Sequence, residues 1–206
     1  MDHKRLVREG YDQVADAYLR QLGDSKTKDL WTDDLASRTR AGGRVLDLGC
    51  GAGIPVARRL LEAGFQVVGI DGSLRQIELA RGNAPDGEFR VADMNTVDFP
   101  AASFDGIAAF FSILHVPRSE HAALLRSIAT WLRPGGAFVA SFGIGDDPGW
   151  LGDWLGAQMF FSGFGPARTE QLVRDSGLAI ERAEILQAED EDAQFLWLAA
   201  RKPQEP

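Results

Sequence analysis

An apolar run that ends in three alternating glycines, Val45-Leu46-Asp47-Leu48-Gly49-Cys50-Gly51-Ala52-Gly53, constrains this chain more than any other segment. Glycines at that spacing let a strand turn sharply and leave no Cβ between backbone and ligand. Pro55 suits the first turn of a following helix. The amides at such a helix start face a carboxylate or phosphate. A strand, a glycine bend and a helix in that order read as one unit of a parallel sheet with crossover helices.

The rest of the chain repeats the alternation. Strand-like runs follow at Phe65 to Ile70, Phe89 to Val91, Phe104 to Phe111 and Ala137 to Ala140. Between them, apolar residues recur at helical spacing. Ala57, Leu60 and Leu61 form one stripe, closed by Gly64. Leu74 and Ile77, with Leu79 or Ala80, form a second, closed by Gly82, and Leu124, Leu125, Ile128 and Leu132 form a third, stopped by Pro134 and Gly135. Residues 178–186 and 193–201 are two strand-like runs joined only by Glu189-Asp190-Glu191-Asp192. A short polar connection makes a hairpin, so the last strand is expected to be antiparallel, with the acidic run as a solvated turn. Residues 3–22 and 27–40 read as helices ahead of the sheet. The expected organisation is a single domain overall, with a helical cap segment over 1–40 and the sheet over 41–202. Residues 146–166 read as an irregular insert carrying Trp150, Trp154, Phe160, Phe161 and Phe164.

Composition limits the partners. The net charge is −8, which repels nucleic acid and anionic lipid. One cysteine forbids an internal disulfide and a multi-thiolate zinc site. No metal site is expected. The opening residues MDHKRLVREG hold no apolar signal region, and the run from Ile107 to Leu114 is too short to span a bilayer. A cytoplasmic protein is expected. His3 and His121 read as surface residues.

The ligand follows from spacing and charge. A dinucleotide fingerprint needs a third glycine where Ile54 stands. Asp47, ahead of the bend, would repel a pyrophosphate but can hold an ammonium, directly or through water. Asp71 ends the second strand, where a carboxylate can accept from both ribose hydroxyls. Asp93 ends the third and can accept from an adenine amino group, with Met94 packing softly on the base. The carboxyl ends of three neighbouring strands would line one crevice.

Taken together, the chain resembles the class I S-adenosylmethionine-dependent methyltransferases. VLDLGCGAG is similar to their first motif and VVGIDGS to their second. FRVADM is similar to the third, FDGIAAFFSILHV to the fourth, and LRPGG to the element after a later helix. The resemblance runs from about Tyr11 to Arg201. It implies a Rossmann-like α/β fold: a seven-stranded, mostly parallel sheet with helices on both faces and the last strand antiparallel. It also implies S-adenosylmethionine as cofactor and S-adenosylhomocysteine as product. Asp47, Gly49, Gly51 and Gly53, with Cys50 in the same loop, would surround the methionine part. Asp71, Gly72 and Ser73 would take the ribose, and Asp93 and Met94 the adenine. Phe110 would pass near the cofactor, and Tyr11 and Tyr18 would belong to an amino-terminal segment folded over the site.

His115, after the fourth strand, is the candidate base. A loop imidazole bonded to backbone is the plainer reading. Trp150, Trp154, Phe160, Phe161 and Phe164 are candidate walls of a substrate pocket, or simply core. Strand four lacks the sequences of DNA amino-, protein-arginine and metal-dependent catechol transferases. That leaves a small, partly apolar or aromatic acceptor. Two rivals stand beside a transferase: a non-catalytic adenosylmethionine-binding regulator, whose pocket would be closed, and a nucleotide-dependent oxidoreductase.

Overall fold

The structure, a computed structural model, describes residues 2–22, 25–189 and 193–204. In chain order its elements are α1 (His3–Leu22), α2 (Lys26–Arg38), β1 (Arg44–Leu48), α3 (Val56–Glu62), β2 (Gln66–Asp71), α4 (Leu74–Asn83), β3 (Glu88–Val91) and β4 (Phe104–Ala109). They continue as α5 (Arg118–Trp131), β5 (Leu132–Gly143), β6 (Trp150–Trp154), β7 (Ala157–Phe161), α6 (Pro166–Asp175), β8 (Ala179–Gln187) and β9 (Gln194–Arg201).

Seven strands form one sheet in the order β3-β2-β1-β4-β5-β9-β8. The pairs among β1 to β5 are parallel, and β9 runs antiparallel to both β5 and β8. This is the sheet that the sequence motifs imply. The strand order reverses between β1 and β4, and a crevice outside the carboxyl ends opens at that switch.

Alternate residues of each strand feed two cores. Val45 and Val67 pack with Trp31 and Leu35 of α2, Leu60 of α3 and Ile77 of α4. Leu46, Leu48, Val68 and Ile70 pack on the opposite face with Leu124 and Ile128 of α5 and Leu172 of α6. Helices therefore cover both faces, and β1 is buried on both, as its continuous apolar run requires.

Three local expectations change. Residues 146–166 are not irregular throughout: β6 and β7 pair antiparallel as a separate two-stranded sheet. Their connection is the two-residue turn Leu155-Gly156, both with positive φ. Such turns follow strand twist, but leucine is not a residue that announces one. Gly82 does not close its helix; α4 continues through Asn83. His121 is buried, with its Nε2 2.9 Å from the Val116 carbonyl, and His3 stacks on Phe160 at 4.2 Å. Among the described residues, no helix is long and apolar enough to cross a membrane.

Gly49 carries the sharpest backbone demand. Its φ is +77°, and a Cβ there would lie 2.3 Å from the Ser112 Cβ. Gly64 also has positive φ, +85°, but open space around it. Gly64→Ala is therefore expected to cost about 1–2 kcal/mol, the left-handed penalty alone. Gly49→Ala adds a backbone-level clash and is expected to cost about 1–3 kcal/mol more. Urea unfolding of the two variants checks the difference; equal losses would mean that the Ser112 approach is relaxed at no cost.

Candidate functional site

The glycine bend is held from two sides. The amides of Gly49 and Cys50 donate to the Ile70 carbonyl at 2.8 and 3.0 Å. The Ser112 hydroxyl, from beyond β4, donates to the Leu48 carbonyl at 2.7 Å. The Asp71 carboxylate then ties β2 to the bend, accepting from the Gly51 amide at 3.0 Å and the Ser73 amide at 2.9 Å. Gly53 faces away from the crevice. A Cβ there would stand 3.1 Å from Ala80 of α4, so this glycine serves helix packing rather than a ligand. Cys50 is buried against Gly69, and burial pushes its thiol well up.

Two cavities adjoin above this bend. One, of about 340 Å³, is lined by Gly49, Gly51, Asp71, Gly72 and Ser73 on one side and by Asp93, Met94, Phe110 and Ser112 on the other. The second, of about 290 Å³, is walled by Phe111, Leu114, Trp154, Phe161, Phe195 and Trp197, with Lys28 and Glu189 among its polar groups. Tyr11, Tyr18, Phe111 and His115 line both and form the junction.

The cap closes this crevice through ties made along α1. Asp12 accepts from the Ser73 hydroxyl at 2.6 Å and the Arg75 amide at 3.1 Å. Lys4 reaches Asp93 at 3.4 Å and Glu120 at 2.6 Å. Gly10 lets α1 approach β7, since a Cβ there would stand 2.9 Å from the Met159 side chain. The β6–β7 hairpin thus props α1 and presents Trp154 and Phe161 inward. Trp150 is exposed at the hairpin's edge. Phe160 is buried, and Phe164 packs against Arg118 and His121, so neither lines the second cavity.

His115 sits in a single 3₁₀ turn, Ile113–His115. Its Nδ1 lies 2.9 Å from the Phe160 carbonyl and its Nε2 2.9 Å from the Tyr11 hydroxyl. A carbonyl only accepts, so Nδ1 carries the proton and Nε2 accepts from Tyr11. Burial pushes this imidazole down to about 4, against the opposing bond to Phe160.

The two acids near the bend move the other way. Burial, then the charge of Asp71, pushes Asp47 up to about 7, against the pull of Lys28. Burial also pushes Asp71 up to about 6, against its bonds from Ser73 and Gly51. Asp47 does not reach the crevice wall; it lies sealed beneath the bend, and its Oδ2 has no partner among the described residues.

An open α/β sheet with a glycine bend after β1 and acids ending β2 and following β3 defines a Rossmann-like nucleoside-binding fold. Residues 45–136 match the family model described as a methyltransferase domain. Over that span, just under half of its length, the chain is similar to S-adenosylmethionine-dependent methyltransferases. It is 32% identical over 152 residues to a 27-O-demethylrifamycin SV methyltransferase of Amycolatopsis mediterranei, covering 63% of this chain and 55% of that one. The chain spans about half the length of the curated relatives it matches. Among solved structures, the magnesium protoporphyrin IX methyltransferase of Synechocystis PCC 6803 with bound SAM superposes with a TM-score of 0.78 at 20% identity, covering 98% of each chain. A Burkholderia thailandensis 1,6-didemethyltoxoflavin-N1-methyltransferase, with its acceptor and S-adenosylhomocysteine bound, superposes at 0.76 and 21%, covering 96% of this chain and 87% of that one.

The residues present fit such a cofactor. Gly51 and Gly72 leave bare faces on the crevice, Gln76 keeps both ends of its amide unpartnered there among the described residues, and Asp47 lies beneath as a buried acid. Among the described residues, no cluster suited to a metal occurs.

Sequence reasoning missed several lining residues. Phe111 follows the strand with φ of +53°, a strained value for a phenylalanine, its amide bonded to the Ser141 hydroxyl at 2.7 Å. Phe195 and Trp197 come from β9, and Lys28 from α2. Gln76 lines the first cavity with both ends of its buried amide unpartnered among the described residues. Its place after Ser73 in Ser-x-x-Gln signals a capping box. Here Asp71 takes the Ser73 amide instead and leaves the glutamine amide to the crevice.

Glu189 is exposed, and it also accepts from the Lys26 amide at 3.1 Å and from the Thr27 amide and hydroxyl at 2.7 and 2.9 Å, contacts that residue order did not signal. Residues 190–192 of that acidic run lie outside the described residues.

Two outcomes follow for the binding crevice. Burial holds the folded pKa of both Asp47 and Asp71 above the ordinary carboxylate value of about 3.9. Their contribution to ligand-free stability is therefore complete below that value and is lost as pH rises toward about 7. A cationic ligand prefers both acids ionised. Adenosylmethionine affinity should thus weaken by on the order of tenfold per pH unit below neutrality. Calorimetric titration from pH 5 to 8 checks this, and Asp47→Asn should flatten the profile between about pH 7 and 6 while leaving the fall set by Asp71 below that. Gln76→Met removes an unsatisfied buried amide, relieving about 1–3 kcal/mol. It should raise the ligand-free melting temperature by roughly 2–12 °C while weakening cofactor binding, and calorimetry reads both.

Proposed function

We propose that this chain transfers the methyl group of S-adenosylmethionine to a small, partly apolar or aromatic molecule. The observation that carries the reading is the junction. A crevice fitted to an adenosyl group opens, at Tyr11, Tyr18, Phe111 and His115, into a second chamber lined mainly by aromatic rings. Two chambers meeting at one point are what an in-line transfer between two bound molecules requires.

The donor's sulfonium supplies an activated methyl group. The protein's own part is binding, alignment and exclusion of water. Asp71 accepts from the ribose hydroxyls, with Gly72 and Ser73 beside it. Asp93 and Met94 take the adenine, with Phe110 beside it, and Lys4 anchors Asp93 to α1. The bare backbone at Gly49 and Gly51 takes the amino-acid tail, with Asp47 charged beneath. Trp154, Phe161, Leu114 and Phe195 hold the acceptor. His115, neutral and with its tautomer fixed by Phe160, is suited to receive a proton.

The relatives support a small acceptor, since two are named for the rifamycin and toxoflavin compounds on which they act. Fold alone does not establish the chemistry. A regulator that binds the cofactor without turnover would have no use for a second open chamber of about 290 Å³. Ile54 in place of the third fingerprint glycine argues against a dinucleotide.

The deciding experiment gives the protein a labelled methyl donor and a panel of small aromatic and polyketide-like acceptors. Label should move to an organic product, and Asp71→Ala should weaken cofactor binding by on the order of tenfold to a hundredfold through loss of a charged acceptor. Tight cofactor binding with no acceptor turned over would favour the regulator. Stronger affinity for NAD(H) than for adenosylmethionine would end the transferase reading.

A further inference from the structure

We infer that the acceptor carries a singly charged oxyanion, such as a carboxylate, and that the ammonium of Lys28 reads it. This rests on the methyl-transfer reading and adds to it the charge of the acceptor and the residue that selects for it.

The placement of Lys28 leads here. It lies in the first turn of α2, where its amide donates to the Ser25 hydroxyl at 3.2 Å and its carbonyl accepts from the Thr32 hydroxyl at 2.7 Å. A cation in that turn opposes the helix dipole, and a buried cation loses its hydration. Lys28 is only 7% exposed. Its Nζ stands 5.4 Å from the centres of the Tyr18 and Phe111 rings and 3.4 Å from the Tyr18 hydroxyl. Helix formation gains nothing from an ammonium so placed; an anion bound in the second chamber does. Nor does Lys28 answer Asp47 fully. It pulls on that acid, yet the Asp47 Oδ2 has no partner among the described residues.

Charge then selects the acceptor. Among the described residues that line the second chamber, Lys28 and Glu189 carry the charges, since burial keeps His115 neutral. The two differ in depth. Glu189 is exposed, and both its oxygens are engaged by the start of α2, Oε1 by the Thr27 amide and hydroxyl and Oε2 by the Lys26 amide. Water and those donors screen it. Lys28 is buried beside Tyr18 and Phe111, two of the junction residues, so its charge acts where donor and acceptor meet. The donor's sulfonium brings a second positive charge to that junction. An oxyanion between them is attracted by both, an ammonium acceptor is repelled by both, and a neutral acceptor forgoes the attraction. Three N–H donors let Lys28 keep its bond to Tyr18 and still meet an acceptor oxygen. One ammonium among aromatic rings matches one negative charge; a dianion would bring in a second at a desolvation cost.

The test uses three probes of similar size: 1-naphthoate, 1-naphthamide and 1-naphthylmethylammonium. Calorimetry near neutral pH reads their affinities with adenosylhomocysteine bound and again without it. Wild type should bind naphthoate on the order of tenfold to a hundredfold more tightly than the amide, as a charge-assisted bond in a buried place implies, and the ammonium most weakly. Lys28→Gln should abolish the preference, Lys28→Arg should keep most of it, and Glu189→Gln should leave it in place. Equal wild-type affinity for naphthoate and amide, a preference that survives Lys28→Gln, or tightest binding of the ammonium would overturn the assignment. Wild-type protein supplies a reading that needs no variant. Naphthoate should shift the nitrogen-15 resonance of Lys28 Nζ more than the amide does, and an unmoved resonance counts against the contact. In the labelled-donor screen, acceptors bearing a carboxylate should turn over in preference to their amides, and Lys28→Gln should raise their KM more than it lowers kcat. Preference for the amides would overturn the acceptor class. Failure to bind adenosylhomocysteine would instead sink the transferase reading beneath it, while the probe affinities of ligand-free protein judge Lys28 separately.

Discussion

The carboxylate of Asp71 is the tie on which the site depends. It gathers the Gly51 amide from the bend after β1 and the Ser73 amide from the start of α4. Adjacent parallel strands thereby end in one fixed relation, with bare backbone beside an acid. The tie is made in a desolvated place, which pushes the carboxyl up to about 6. Such a group is poised to gain from hydroxyl donors and nearby positive charge.

The second constraint is the way α1 crosses the carboxyl edge of the sheet. Asp12 on Ser73, Arg75 on Asp16 and Lys4 on Asp93 fasten it at the crevice. Exposed ion pairs stabilise weakly, and the apolar seat is the more substantial contact: Val14 of α1 against Ala157 and Met159 of β7. The hairpin after β5 therefore reads as a buttress whose inner rings finish the second chamber. Phe111, held with positive φ, is the hinge between strand and chamber. Its unusual backbone turns one ring to face both cavities.

Much of this was legible in residue order. Strand alternation, the glycine bend, the acids at Asp71 and Asp93 and the terminal hairpin are local patterns, and each stands where its pattern placed it. The readings that changed depended on distant partners. Gly53 looked like part of a ligand loop, but Ala80 claims it. Phe160 and Phe164 looked like pocket walls, but one gives its carbonyl to His115 and the other packs on the core.

By itself, the sequence determined the Rossmann-like sheet, the bend that only glycine can make at Gly49, and the resemblance to a methyltransferase domain. These follow from short-range sterics and from burial periodicity, which any window of the chain displays. Only the tertiary structure decided how the site is wired. Tyr11 and His115 are 104 residues apart and meet at 2.9 Å because α1 is folded back over the sheet. Which nitrogen of that histidine is basic, and what stands before it, depends on contacts that no stretch of neighbouring residues contains.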